Sequence, residues 1–123
     1  MSSSYSKLCK KILSQDASVR FAGVADPHGK IIAYEYRQGL EPLLTQDESA
    51  KSIFQTAIRN SMRLTLEHKL GKTVYSFTMY EKVKRVTIPL DRGGREEIWM
   101  ASFDVESDAE NIILNKLIPL IKE

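Results

Sequence analysis

The sequence predicts an α+β fold, a three-layer α/β/α sandwich built on a mostly antiparallel five-stranded sheet. Two strand segments joined by a tight turn precede one long helical segment, and three further strand segments joined by short turns follow it. Short connections favour antiparallel neighbours. Two of the strand segments are apolar at almost every position, which is typical of strands covered on both faces, so helices are expected on both sides of the sheet.

The chain is expected to open with a disordered tip, Met1–Ser4, and a short helix. The apolar face of that helix comprises Tyr5, Leu8, Cys9, Ile12 and Leu13. Residues 19–25 (VRFAGVA) form the first strand. Asp26, Pro27 and Gly29 occupy the first, second and fourth positions of a type I turn. Residues 30–37 (KIIAYEYR) then complete a hairpin.

Residues 45–70 carry the longest helical signal in the chain. Thr45 and Glu48 form a capping box, and Gly71 follows the last turn. Such a helix would be roughly 37 Å long, so one end is expected to overhang the sheet or meet a second subunit. Spacings of three and four place the following residues on one face: Ala50, Ile53, Phe54, Ala57, Ile58, Ser61, Met62, Leu66 and Leu70.

Three strands and a helix follow. The strands are predicted at 72–80, 84–90 and 97–105, the last being central because it is almost continuously apolar. Pro89 must lie at a strand end, at a bulge or facing an unpaired side. Ser107 and Glu110 form a second capping box, and Pro119 should kink or fray the end of the final helix. The buried face of that helix is predicted to be Ile113, Leu114, Leu117, Ile118 and Ile121.

Length and composition indicate one domain, 1–123, able to bury a core without disulfides or metals, since 42% of its residues are hydrophobic. The net charge of +2 gives no general case for nucleic acid or membrane. A single Cys, no signal peptide and no long apolar run predict a cytoplasmic protein.

Few residues suggest chemistry. His28 lies in a turn without a sequence partner and is interpreted as exposed, and His68 complements a helix dipole. Cys9 is interpreted as a buried hydrophobe rather than a nucleophile. No catalytic arrangement can be argued from spacing, so neither an enzyme nor a cofactor site is predicted.

Two basic groups leave alternatives open. Arg59 and Arg63 lie four apart on one helix face, where they either clamp a carboxylate or phosphate across an interface or remain solvated. A second group either forms an edge for an anionic partner or protects an edge strand against unwanted pairing. It contains Lys82, Lys84, Arg85, Arg92 and Arg95.

The element order and the segment VRFAGVADPHGKIIAY resemble the roadblock/dynein-light-chain family. More narrowly, CKKIL, RFAGVADPHGK, RNSMR and KVKRVTIPL are similar to small uncharacterised archaeal proteins. Two features depart from the family pattern, Pro89 in strand four and the charged turn YEKVKR. The resemblance implies a homodimer or heterodimer that acts as a non-catalytic scaffold or regulator of a small GTPase.

In the arrangement that this resemblance implies, two long helices pack antiparallel and two third strands pair edge to edge. Strand three is expected to be long, and its interior 74–79 carries no charge to protect an exposed edge. The predicted interface comprises Phe54, Ala57, Ile58, Ser61, Met62, Tyr75, Phe77 and Met79. The alternative is a PAS-like or profilin-like sensor whose ligand cavity is lined by Tyr34, Tyr36, Tyr75, Phe77 and Trp99.

Overall fold

The structure, a computed structural model that describes residues 2–123, has one five-stranded sheet between two helical layers. The strands are β1 Val19–Ala25, β2 Ile31–Tyr36, β3 Ser76–Met79, β4 Val83–Arg92 and β5 Arg95–Asp104. The helices are α1 Ser2–Ser14, α2 Gln46–Leu64, α3 Glu67–Leu70, α4 Ala109–Ile112 and α5 Ile118–Lys122, with a π-helical turn at Ile113–Leu117. The strand order is β2-β1-β5-β4-β3, with every pair antiparallel, so the predicted fold and the central position of β5 are confirmed.

The larger core lies between the sheet and the layer formed by α1 and the C-terminal helices. Its fully buried side chains include Trp99 and Phe103 of β5 and Ile12 of α1. Cys9 belongs to the same core, and burial raises the pKa of its thiol to about 12, which supports its interpretation as a small hydrophobe. A smaller core under α2 comprises Ala25, Ala57, Ile98 and Met100.

The predicted helix 45–70 is wrong in length, although its capping box at Thr45 and Glu48 is confirmed. The helix α2 has 19 residues, which corresponds to about 28 Å. The hydroxyl of Thr65 donates to the carbonyl oxygen of Met62, and the amides of Thr65 and Leu66 bond three residues back rather than four. These contacts tighten and end the helix. A separate short helix, α3, then leads to Gly71, which has a φ of 87°.

Strand β3 is four residues long, so the expectation of a long third strand is wrong. It pairs with β4 only from Ser76, opposite Thr87, to Met79, opposite Lys84. Strand β4 continues past that pairing and contains Pro89, which lies opposite Ile98 of β5. At Pro89, β4 therefore has a neighbouring strand on one side only, as a residue without an N–H requires.

The C-terminal helix does not use the predicted capping box at Ser107 and Glu110. It starts at Ala109 after Asp108, with no side-chain hydrogen bond at the cap, and Glu110 instead accepts a bond from Tyr75. The π-helical turn immediately precedes Pro119, which lies in the first turn of α5 and has no N–H to continue the helical ladder. The wider turn changes the buried face, so Leu114, predicted to be buried, is exposed.

The first helix begins at Ser2, three residues earlier than its apolar pattern indicates, and so includes most of the predicted disordered tip. Met1 lies outside the described residues. Within residues 2–123, no helix has the length and apolar character needed to cross a membrane.

Candidate docking surface on α2

The helix α2 turns a polar stripe toward the sheet. Its buried residues are Ser52, Thr56, Ala57 and Asn60, of which three are polar and recur at every fourth position. Ser52 accepts a 2.6 Å hydrogen bond from the Arg85 guanidinium of β4, and the Thr56 hydroxyl donates to the Ser52 carbonyl oxygen. The helix is therefore held on this side of the sheet by hydrogen bonds as well as by apolar contacts.

The apolar stripe of α2 faces away from the sheet. Phe54, Ile58 and Met62 also recur at every fourth position, and they are 56%, 44% and 64% exposed. At 100° per residue, this stripe lies roughly opposite the polar stripe on the helix surface. Contiguous exposed apolar side chains of this kind mark an interaction surface in a soluble protein.

Two predicted interface residues on α2 differ in position. Ser61 is exposed beside the apolar stripe. Ala57 is buried under the helix, where it packs with Ala25 and Ile98, so it offers little surface to a second subunit. It also lies against the β1–β2 turn, where a β-carbon on Gly29 would be 3.4 Å from that of Ala57 and 3.0 Å from the α-carbon of Phe54.

The third strand forms an open edge of the sheet, but its apolar side chains lie on the face opposite α2. Phe77 pairs in register with Val86, a residue of the larger core on the α1 side. Phe77 and Met79 are both exposed there. Tyr75 is half-buried against the same core and donates a 2.9 Å hydrogen bond to Glu110. The predicted interface residues of α2 and of β3 therefore lie on opposite faces of the sheet.

The basic edge, one of the two alternatives for the second group of cations, does not assemble. Lys84 lies on the α1 side of the sheet and donates to the Ser107 carbonyl oxygen, whereas Arg85 points to the α2 side. Arg92 donates to the Glu97 carboxylate and to the Ile121 carbonyl oxygen. The five cations are divided between two faces and two ends of the strands, so they present no continuous surface for nucleic acid.

The aromatic side chains proposed to line a ligand cavity do not converge either. Tyr34 and Tyr36 lie on β2 at one edge of the sheet, whereas Phe77 lies on β3 at the other. Two open hollows of about 310 and 320 Å³ adjoin α1, and only Trp99 of the predicted set lines one of them. Neither hollow lies between α2 and the sheet.

Two carboxylates accept hydrogen bonds from residues outside α2. Burial alone would raise the pKa of Glu97, but hydrogen bonds from Tyr5, Trp99 and Arg92 outweigh burial and hold the pKa below its ordinary value. Hydrogen bonds from Arg37 and Arg20 likewise lower the pKa of Asp104. Within the described part of the chain, no three His, Cys, Asp or Glu side chains are grouped to hold a metal ion. His28 is exposed in its turn, as expected.

The chain matches no protein-family model and no curated protein sequence. A solved structure of MglB in a tetrameric arrangement has a TM-score of 0.71 at 13% identity, over 98% of this chain and 89% of that one. Myxococcus xanthus MglB gives 0.71 at 14% identity, over 98% and 86%. A roadblock/LC7 domain from Streptomyces avermitilis gives 0.68 at 10% identity, over 95% and 93%. The chain has the roadblock fold.

This likeness to roadblock-fold structures extends over nearly the whole chain, and identities this low establish the fold alone. The narrower resemblance to archaeal proteins stays a prediction. Sequence reasoning found the apolar stripe of α2 through its spacing. It missed the contact between Ser52 and Arg85, because 33 residues separate the two in the chain and no local pattern brings them together.

Proposed function

We propose that this protein is a cytoplasmic, non-catalytic dimerisation module that scaffolds or regulates a signalling partner. The partner class implied by the roadblock resemblance is a small GTPase. One observation carries the proposal: α2 buries its polar stripe and leaves Phe54, Ile58 and Met62 in solvent. Exposing three large apolar side chains on one helix face is unfavourable in water, and burial against a second copy would recover that free energy.

A closed two-fold interface uses the same surface on both subunits. The apolar stripe meets that requirement, because antiparallel copies of α2 would place Phe54 near one end and Met62 near the other, on either side of Ile58. The β3 edge could extend the contact, since Ser76–Met79 carries no charge and has a neighbouring strand only on the β4 side. MglB, which shares the fold, occurs in a tetrameric arrangement.

Sedimentation equilibrium at micromolar concentration tests the proposal. We expect the wild-type chain to have twice its subunit mass of 14.0 kDa, and Ile58→Glu to have 14.0 kDa because the dimer would bury an unpaired charge. Leu114→Glu is the matched control, since Leu114 is 46% exposed on the opposite side of the sheet. That control should remain dimeric. A wild-type chain that is monomeric at all these concentrations contradicts the proposal.

Edge pairing requires a separate variant. Phe77→Lys places a charge on β3 without touching α2, and should weaken a dimer in which two β3 strands pair. Circular dichroism shows whether the variant is folded, because Phe77 pairs in register with Val86 of the larger core. A folded Phe77→Lys variant with wild-type mass would restrict the interface to α2.

A further inference from the structure

Arginines in this protein fall into two groups. Four of the seven pair with Asp104 or Glu97 at nitrogen–oxygen distances of 2.8 to 3.7 Å: Arg20, Arg37, Arg92 and Arg95. The other three, Arg59, Arg63 and Arg85, have no ion-pair partner among residues 2–123. Unpaired arginines are therefore confined to α2 and to the strand that faces it.

Two of these three are held on adjacent turns of α2. The Arg85 guanidinium donates to the Ser52 hydroxyl at 2.6 Å, and the Arg59 guanidinium donates to the Thr56 hydroxyl at 3.2 Å. Spacings of four, three and four residues place Ser52, Thr56, Arg59 and Arg63 on one flank of the helix. We call this flank, together with Arg85 on β4, the arginine groove.

The groove concentrates positive charge that the protein does not neutralise. A hydroxyl satisfies one N–H of a guanidinium but leaves its charge uncompensated, and like charges held on adjacent turns repel. Arg85 and Arg63 are both half-buried, so water screens them less than it screens a fully exposed side chain. The neighbouring residue on the β3 edge, Thr78 opposite Arg85, is neutral.

Asn60 of the polar stripe does not contribute to the groove. It lies one turn beyond Thr56, is 6% exposed, and its side-chain oxygen has no hydrogen-bond partner among the described residues. That oxygen is a hydrogen-bond acceptor, so it would not bind an ionised oxyanion.

We infer that the arginine groove binds an oxyanion, a carboxylate or phosphate group, through the guanidinium groups of Arg85, Arg59 and Arg63. Planar guanidinium groups match both oxyanions with paired N–H donors, which a Lys ammonium cannot do. The groove includes Ser52 and Thr56 of the polar stripe, which lies roughly opposite the apolar stripe, so an oxyanion here would bind away from the proposed interface. The inference does not depend on the dimer, because every residue of the groove belongs to one chain.

Side-chain Nε–Hε resonances of ¹⁵N-labelled arginine test this directly. The protein is titrated with sodium phosphate in one arm and sodium acetate in the other, at constant ionic strength maintained with chloride. We expect saturable chemical-shift changes in the resonances of Arg59, Arg63 and Arg85 in at least one arm. The resonances of Arg20 and Arg37 should not change, because these side chains already pair with Asp104. Tighter binding in the phosphate arm indicates a phosphate ligand, and tighter binding in the acetate arm a carboxylate.

Two variants complete the test. Arg85→Gln keeps a donor for Ser52 but removes the charge, and should weaken binding detected at Arg59 by about tenfold, the effect of losing one charge-assisted bond of about 1.4 kcal/mol. Arg95→Gln makes the same charge change at an exposed arginine outside the groove and should leave binding unchanged. Shifts that do not saturate in either arm, or equal losses in both variants, overturn the inference. Sedimentation of the same samples shows whether they are dimeric. A failure of oxyanion binding can therefore be distinguished from a failure of dimerisation.

Discussion

The hydroxyl of Tyr5 donates a 2.6 Å hydrogen bond to the carboxylate of Glu97, a residue 92 positions away, and thereby joins α1 to β5. The same carboxylate accepts from Trp99 of β5 at 3.0 Å and from Arg92 of β4 at 2.9 Å. Arg92 in turn donates to the Ile121 carbonyl oxygen of α5. One buried carboxylate thus links both terminal helices to the centre of the sheet.

Removing the Tyr5 hydroxyl tests this network. We expect Tyr5→Phe to lower the free energy of unfolding by about 1–2 kcal/mol, because the bond is made to a charged and buried acceptor. Urea denaturation followed by circular dichroism measures the change. Tyr80→Phe is the control: Tyr80 is exposed, and its hydroxyl has no hydrogen-bond partner among residues 2–123. Equal effects in the two variants would show that the Tyr5–Glu97 bond contributes little.

Stability should decrease in acid. The folded-state pKa of Glu97 lies below its ordinary value of 4.5, and that of Asp104 lies below 3.8, so the unfolded chain binds these protons first as the pH falls. The stabilisation is complete above about pH 5 and is lost as the pH falls through the folded-state pKa values. Urea midpoints between pH 7 and about pH 3 should decrease, and Glu97→Gln should make the decrease shallower. If the urea midpoint of Glu97→Gln depended on pH as steeply as that of the wild type, Glu97 would be excluded as a source of the pH dependence.

Gly29 allows the β1–β2 turn to pack closely against α2. An alanine there meets two obstacles, a φ of 87° and a β-carbon 3.0 Å from the Phe54 α-carbon. Gly39→Ala meets only the first, because Gly39 has a φ of 77° and open space around it. We expect a loss of about 1–2 kcal/mol for Gly39→Ala from backbone strain alone, and a larger loss for Gly29→Ala. Thermal and urea unfolding provide the comparison. Equal losses of unfolding free energy in the two variants would mean that α2 shifts to accommodate the added methyl group.

Local signals predicted much of this fold. The capping box at Thr45 and Glu48 and the bounds of β1 follow from neighbouring residues, and the structure has both. The end of α2 was missed because it depends on hydrogen bonds around Thr65 that compete with a continuing apolar pattern. Leu66, the next residue in that pattern, is exposed, so burial does not extend the helix.

The orientation of α2 could not be predicted from its periodicity. Its polar and apolar stripes both repeat every fourth residue, and spacing alone does not say which stripe meets the sheet. That choice depends on the sheet surface, where Arg85 of β4 offers a donor to Ser52. Ala57 has the same apolar character as Ile58, yet it is buried on the sheet side of α2, and its spacing does not show this.

Disulfide cross-linking at Ile58 tests the central claim, that the outer face of α2 is covered by a second copy, most directly. Ile58 lies at the centre of the apolar stripe and is 44% exposed, whereas the native Cys9 is buried with its thiol pKa raised to about 12, so it should not react. Ser14→Cys, at the exposed end of α1, is the control. On mild oxidation we expect Ile58→Cys to form a covalent dimer rapidly and Ser14→Cys to remain monomeric, because antiparallel copies of α2 place the two Ile58 positions opposite each other and a disulfide requires α-carbons within about 7 Å. Equally slow cross-linking of the two variants, in a protein that sediments as a dimer, would contradict the claim.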